Sequence, residues 1–136
     1  VAVIDASVYV TLINAHERDY ASTWAWFERA QSRQEAISAP MILLAEVAAA
    51  VSRGVGDMAL AYRVVKQLQD SKVIELLPVT SAMAERAAEI AAAYRVRGCD
   101  AIYLALAEQL SDCLVTMDVQ QLERGAEVVV TRKPTG

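Results

Sequence analysis

The chain predicts an α/β fold built on a parallel sheet, and three observations carry that expectation. The opening residues Val1-Ala2-Val3-Ile4 are a short β-branched apolar run without alternation, as a strand buried on both faces requires. Near the other end, Cys113-Leu114-Val115-Thr116-Met117-Asp118 repeats the pattern, again closing on a carboxylate. Between the two, short apolar runs alternate with longer stretches of helical period.

The opening strand ends on Asp5, and Val8 to Asn14 follows as a helix. In an open α/β sheet, ligands gather outside the carboxyl ends of the strands. An ionised Asp fenced by Ile4 and Val8 must therefore cap the next helix or hold a cation. Asp19 to Arg33 reads as an amphipathic helix with Trp24, Phe27 and Ala30 along one side. Its tryptophans, Trp24 and Trp26, are assigned to core packing or a protomer interface rather than to base stacking. His16, alone in the polar loop before it, reads as a solvated side chain.

Ala36 to Ala39 is the second expected strand, and Pro40 then opens a helix at its first position, where a missing N–H costs nothing. That helix is expected to run to Arg53, with Gly54 as its stop. From Met41 to Val51 every residue is apolar except Glu46, whose helical neighbours are Ile42, Leu43, Ala49 and Ala50. A carboxylate there needs an arginine, a proton or a metal as partner.

Asp57 to Ser71 makes a further helix with Arg63 and Lys66 on its wet side, and Val73 to Val79 a third strand ended around Pro78. Thr80 or Ser81 begins an Ala-rich helix to about Arg95, a candidate packing or dimer face, with Glu85 and Glu89 facing solvent. Gly98 breaks it, and Asp100 begins the apolar helix Ala101-Ile102-Tyr103-Leu104-Ala105-Leu106-Ala107, either as its cap or as a site residue. After Asp118 come Gln120 and Gln121, with Leu122 folding back on the core. Glu127 to Val130 is expected as a last strand, and residues 131–136 as a frayed polar tail.

Composition bounds the function. At 136 residues the chain is one domain, 1–136, and its 55% hydrophobic content suits close helix–sheet packing. No apolar run is long enough to span a bilayer and no leader precedes the first strand, so a soluble, cytoplasmic protein is expected. Cys99 and Cys113 have no metal or disulfide spacing and read as small buried thiols. A net charge of −4 means that any polyanion must be held locally or through bound cations.

Thirteen of the 17 acidic residues sit in loops or on polar helix faces; Asp5, Glu46, Asp100 and Asp118 do not. Right-handed crossovers bring the strand-ending acids to one edge of the sheet, and helices starting near that edge can deliver Glu46 and Asp100 to it. Four carboxylates in one cleft need positive charge, and hard divalent cations with oxygen ligands, Mg2+ or Mn2+, are the natural complement. There is no His/Cys cluster for zinc, no glycine-rich phosphate loop and no nucleophile elbow.

Four segments, Ile4-Asp5-Ala6-Ser7, Leu44-Ala45-Glu46-Val47, Asp100 to Ala107 and Leu114 to Asp118, together resemble the successive motifs of PIN-domain nucleases, and most of all the VapC-type toxins of toxin–antitoxin pairs. The resemblance covers essentially the whole chain. It implies a three-layer α/β/α sandwich with a central parallel sheet and Mg2+- or Mn2+-dependent cleavage of single-stranded RNA. It also implies a homodimer and a small DNA-binding antitoxin whose tail enters the active-site groove. Asp5, Asp100 and Asp118 would then hold the metal directly or through water, with Glu46 completing the site or positioning the attacking water. Ser7 and Thr116 are candidates to orient a ligand or to cap.

One departure is Gln120, where many relatives carry an acid or Asn, which would weaken a second metal. Arg53, Arg95, Arg97 and the Arg132-Lys133 tail are candidate RNA contacts. The rival reading is a non-catalytic module of the same fold that binds RNA or dimerises. A phospho-accepting receiver domain is disfavoured, because it expects paired acids after the first strand and a Lys closing a late one.

Overall fold

At the centre of the protein lies β1, Ala2–Ile4, three residues that are all buried. The computed structural model describes residues 2–135; Val1, which opens the predicted strand, and Gly136, which ends the predicted tail, lie outside them. After β1 come α1 (Ala6–Ile13), α2 (Tyr20–Ser32), β2 (Ile37–Pro40), α3 (Leu43–Val55), α4 (Met58–Asp70) and β3 (Ile74–Leu77). The second half holds α5 (Ser81–Tyr94), α6 (Gly98–Leu110), β4 (Cys113–Val115), α7 (Val119–Gly125) and β5 (Thr131–Arg132).

The strands form one sheet in the order β3-β2-β1-β4-β5, every pair parallel. The chain builds outwards from β1 to β2 and β3, then crosses back to place β4 on the other side of β1. The β1–β4 seam is therefore the topological switch point, where the carboxyl ends of an open sheet leave a crevice. Its register pairs Ile4 with Val115, so Asp5 and Thr116 leave the sheet side by side.

Helices flank the sheet and complete the three-layer sandwich. The apolar α6, with Tyr103, Leu104 and Leu106 fully buried, packs on β1, β2 and β4, and α5 packs on α6. Arg86 forks onto Glu108 across the α5–α6 contact, Nε to Oε1 at 2.6 Å and Nη2 to Oε2 at 2.9 Å. In the other group α1 touches α2 and α3, and α3 touches α4. Trp26, Phe27 and Ala30 are the buried apolar residues of α2, while the half-buried Trp24 donates Nε1–H to the Leu12 carbonyl. No helix among the described residues is long and apolar enough to cross a membrane.

Several boundaries differ from those expected. Pro40 does not open a helix: it ends β2 opposite Leu77, and the next N–H, of Met41, bonds the Leu77 carbonyl at 2.8 Å. Gly54 does not stop α3, which continues to Val55 and closes on Gly56, at φ +70 in the left-handed region that glycine adopts without strain. Residues 127–130 are a turn rather than a strand, because the Gly125 carbonyl accepts both Val128 N–H and Val129 N–H. The last strand falls instead at Thr131–Arg132, inside the stretch expected to fray, where Leu114 and Val115 pair with it. Cys99 is exposed and Cys113 half-buried, so neither is a core thiol.

Candidate active site

Asp5 is 5% exposed at the carboxyl end of β1 and is the N-cap of α1. Its Oδ1 accepts the Ser7 N–H at 3.1 Å and the Ser7 hydroxyl, and its Oδ2 accepts the hydroxyl of Thr116. Ser7 Oγ in turn accepts Met117 N–H at 2.9 Å, and Thr116 Oγ1 accepts Asp118 N–H at 3.0 Å. These bonds stitch the β1–α1 turn to the loop after β4. They follow from register, since Asp5 and Thr116 continue paired positions. Burial raises the Asp5 carboxyl to about 6; the Ser7 and Thr116 hydroxyls pull it down and the Asp100 charge adds to the rise. Capping and a site role, set as alternatives from sequence, here coexist in one side chain.

Asp118 caps α7 through Oδ1, which accepts Gln120 N–H at 2.8 Å and Gln121 N–H at 3.1 Å. That leaves Oδ2, which receives Arg97 Nη2 at 3.3 Å. Asp100 is not the cap of α6; Arg97 holds that position, and Asp100 lies in the first turn with Oδ2 2.9 Å from Arg97 Nε. One guanidinium therefore bridges Asp100 and Asp118. Its own side chain is 74% exposed, while those of Asp100 and Asp118 are 19% and 34% exposed. The bond to Asp100, then the charges of Asp100, Asp118 and Glu46, raise the Arg97 pKa.

Glu46 lies half-buried in the first turn of α3, where it has a hydrogen-bond partner that the sequence does not suggest. The buried Tyr103 of α6 donates its hydroxyl to Glu46 Oε1 at 2.5 Å. Burial first, then the bond to Glu46 and the charges of Glu46, Asp5 and Asp100, raise the Tyr103 phenol above its ordinary range. Tyr103 and Arg97 between them feel all four acids, which thus share one electrostatic neighbourhood at the switch point. Among the described residues, no three Asp, Glu, His or Cys side chains form a ready-made metal cage.

The donor set nonetheless suits a hard divalent cation. The oxygens that the four acids, Ser7, Thr116 and Tyr103 bring to it are all carboxylate or hydroxyl oxygens. Arg97 stands between Asp100 and Asp118 where two anions require a positive charge, and the neighbouring Asp5 is pushed toward its neutral form. A cleft of about 400 Å³ opens beside this group, lined by Ser7, Thr11, Met117 and Lys133 among others. Larger clefts, about 910 and 650 Å³, lie by the amino ends of β4 and β5 and of β2 and β3, away from the acids.

Two residues of this site escape a reading of the sequence. Tyr103 sits three residues after Asp100 as the one hydroxyl in an apolar helical run, a signal that reads equally as core. Gln121, 2% exposed, donates Nε2–H to the Asp100 carbonyl at 3.1 Å and so ties α7 to the start of α6. Of the proposed RNA contacts, Arg97 joins the acids; the Arg95 carbonyl accepts Arg124 Nη1, and Arg53 lies exposed near the end of α3. Gln120 is exposed, with its backbone N–H held by Asp118.

A family model described as the PIN domain matches residues 2–127. No curated protein matches the sequence. Among solved structures, the chain is similar to VapC20 of Mycobacterium tuberculosis, described as a sarcin-ricin loop cleaving toxin, at TM-score 0.78 and 18% identity over 98% of this chain and 100% of that one. FitAcB from Neisseria gonorrhoeae matches at TM-score 0.76 and 17% identity, covering 98% of each chain. VapBC2 from Rickettsia felis, bound to a DNA fragment from its promoter, matches at 0.73 and 15% over 97% of each.

Proposed function

The chain belongs to the PIN-domain family, and from that premise we propose that it is a Mg2+- or Mn2+-dependent endoribonuclease acting on single-stranded RNA, the toxin of a toxin–antitoxin pair. The observation that supports this most is the bridging of Asp100 and Asp118 by a single exposed guanidinium, with Asp5 and Glu46 in the same neighbourhood. Asp5, Asp100 and Asp118 would hold the ion, with Glu46 completing the site. A bound divalent cation supplies charge neutralisation at the phosphate and a lowered pKa for the attacking water. The chain's own residues do the rest. Ser7 and Thr116 fix the Asp5 carboxylate, Gln121 fixes the first turn of α6, and Tyr103 holds Glu46 toward the site. Arg97, released from the acid pair, is placed to meet a substrate phosphate.

The partners in this reading are an RNA substrate, a cognate antitoxin and a second copy of the chain, in the cytoplasm. The structural relatives support the antitoxin, since they include VapBC and a toxin–antitoxin complex from Klebsiella pneumoniae. A second reading is a non-catalytic module that binds RNA or dimerises. It is favoured by Gln120, whose amide is a weaker ligand for a hard cation than the carboxylates around it.

Purified protein incubated with an end-labelled single-stranded oligoribonucleotide separates them. Cleavage is expected with Mn2+ and not with chelator, and Asp100→Asn and Asp118→Asn are each expected to reduce it to background while remaining folded by circular dichroism. Undiminished cleavage in both variants would remove the acid site from the mechanism, and no cleavage by the unaltered protein would favour the second reading.

A further inference from the structure

Next to the cleft that opens beside Ser7 and Met117, and sharing Lys133 with it, lies a second cleft rich in positive charge. Lys133 lines both the cleft beside Ser7 and Met117 and a narrower one of about 110 Å³. The narrow cleft is walled by Trp26, Arg29 and Arg33 of the α2 region and by Arg132 and Lys133 of the last strand and the residue after it. Among the described residues one carboxylate, Glu35, lines it with these four cations, and Arg33 Nη1 stands 3.9 Å from it. Such a concentration of positive charge runs against the chain's net −4. Within it, Arg29 Nη2 is buried and has no hydrogen-bond partner among the described residues. A guanidinium nitrogen left so is costly, and an anionic oxygen drawn into the cleft would supply the acceptor.

We propose that the Arg29–Arg33–Arg132–Lys133 cleft is a phosphate-binding subsite that holds the RNA backbone away from the scissile bond and leads the strand to the acids. The inference rests on the ribonuclease reading and adds the substrate track to it. An acid-lined site repels a polyanion, so the affinity for RNA must come from cations outside it. The cleft supplies them, and Lys133 brings them to the opening beside Ser7, which Glu17 and Asp19 also line. It also gives the short strand β5 a use. Pairing with β4 fixes Arg132, and with it Lys133, against α2.

The test compares the double variant Arg132→Gln/Lys133→Gln with Arg63→Gln/Lys66→Gln, which removes the same two charges from α4. Binding of a fluorescent single-stranded oligoribonucleotide is measured by anisotropy in chelator over a range of KCl. The first variant is expected to bind about tenfold more weakly, with a log–log salt slope shallower by about 0.7 for each phosphate no longer neutralised. The α4 variant is expected to bind like the unaltered protein. Equal losses in both variants, or no loss in the first, overturn the subsite. The nuclease reading is judged separately, by Mn2+-dependent cleavage with the unaltered protein. Cleavage without the selective loss sinks the cleft alone, and the selective loss without cleavage sinks the nuclease reading alone.

Discussion

Asp5 shows how much one side chain does here: it ends a strand, caps a helix and anchors the loop after β4 through Thr116. Burial holds its carboxyl at about 6, well above the value near 3.9 of an unfolded chain. Between those values the folded protein binds a proton that the unfolded chain has lost, so stability falls as pH rises from about 4 to about 6. In chelator, the cost of ionising Asp5 is on the order of 3 kcal/mol once the pH exceeds both values. The melting temperature of the unaltered protein is therefore expected to decline from pH 5 to pH 7, by differential scanning fluorimetry in chelator. Asp5→Asn keeps the cap but has nothing to ionise, and its profile should be flatter over that interval. A slope that persists in the variant would locate the titrating group elsewhere. At this scale the sequence is informative where a charge is out of place, as at Glu46 amid alanines and at Asp5 and Asp118 beyond apolar runs. It is silent where the partner is chemically ordinary. A Tyr within an apolar helix or an Arg before a Gly carries no mark of the carboxylate that folding brings to it.

Helix starts are legible where a side chain satisfies the free N–H groups locally. Asp57 bonds Leu60 N–H and Thr80 bonds Met83 N–H, each within its own turn. The boundaries that depart from expectation are those decided by a neighbour. Pro40 is a strand residue because β3 lies beside it, and Thr131–Arg132 is a strand because β4 offers free carbonyl and N–H groups. The lock on that last strand is Gly125, where a Cβ would stand 2.8 Å from Leu104 Cδ2 and 3.0 Å from Thr131 Cγ2. Leu104 is fully buried, so moving it must displace packed neighbours. Gly125→Ala should gain up to about 1 kcal/mol of helix propensity but lose about 1–3 kcal/mol to overpacking, so the clash wins. A net loss near 1 kcal/mol lowers the melting temperature by roughly 4 °C. Because Thr131 is pushed outward, amide exchange at Leu114 and Thr116, whose N–H groups bond Val130 and Arg132 carbonyls, should accelerate more than exchange in β2. Uniform acceleration across the sheet would show that Gly125 does not lock β5.

The sheet order is a property of the whole molecule, and no single segment carries it. The motif acids are readable one by one, but that they meet depends on β4 inserting beside β1 rather than beyond β3, a choice made by the crossover through α5 and α6. The fold thereby gathers Asp5, Glu46, Asp100 and Asp118 around one switch point at a cost in mutual repulsion that Arg97 relieves in part. A cation that binds only the folded chain stabilises it by about 2.7 kcal/mol at a concentration 100 times its Kd. At roughly 4 °C for each kcal/mol in a chain of this size, Mn2+ should raise the melting temperature by about 10 °C. Arg97 competes for the same two carboxylates, so Arg97→Gln is expected to melt lower without metal yet to reach half of its gain at a lower Mn2+ concentration. Magnesium should act in the same direction, and NaCl at matched ionic strength should not. A response to Mn2+ that is absent in both the unaltered protein and Arg97→Gln would mean that the acids converge without forming a metal site, the condition under which the non-catalytic reading holds.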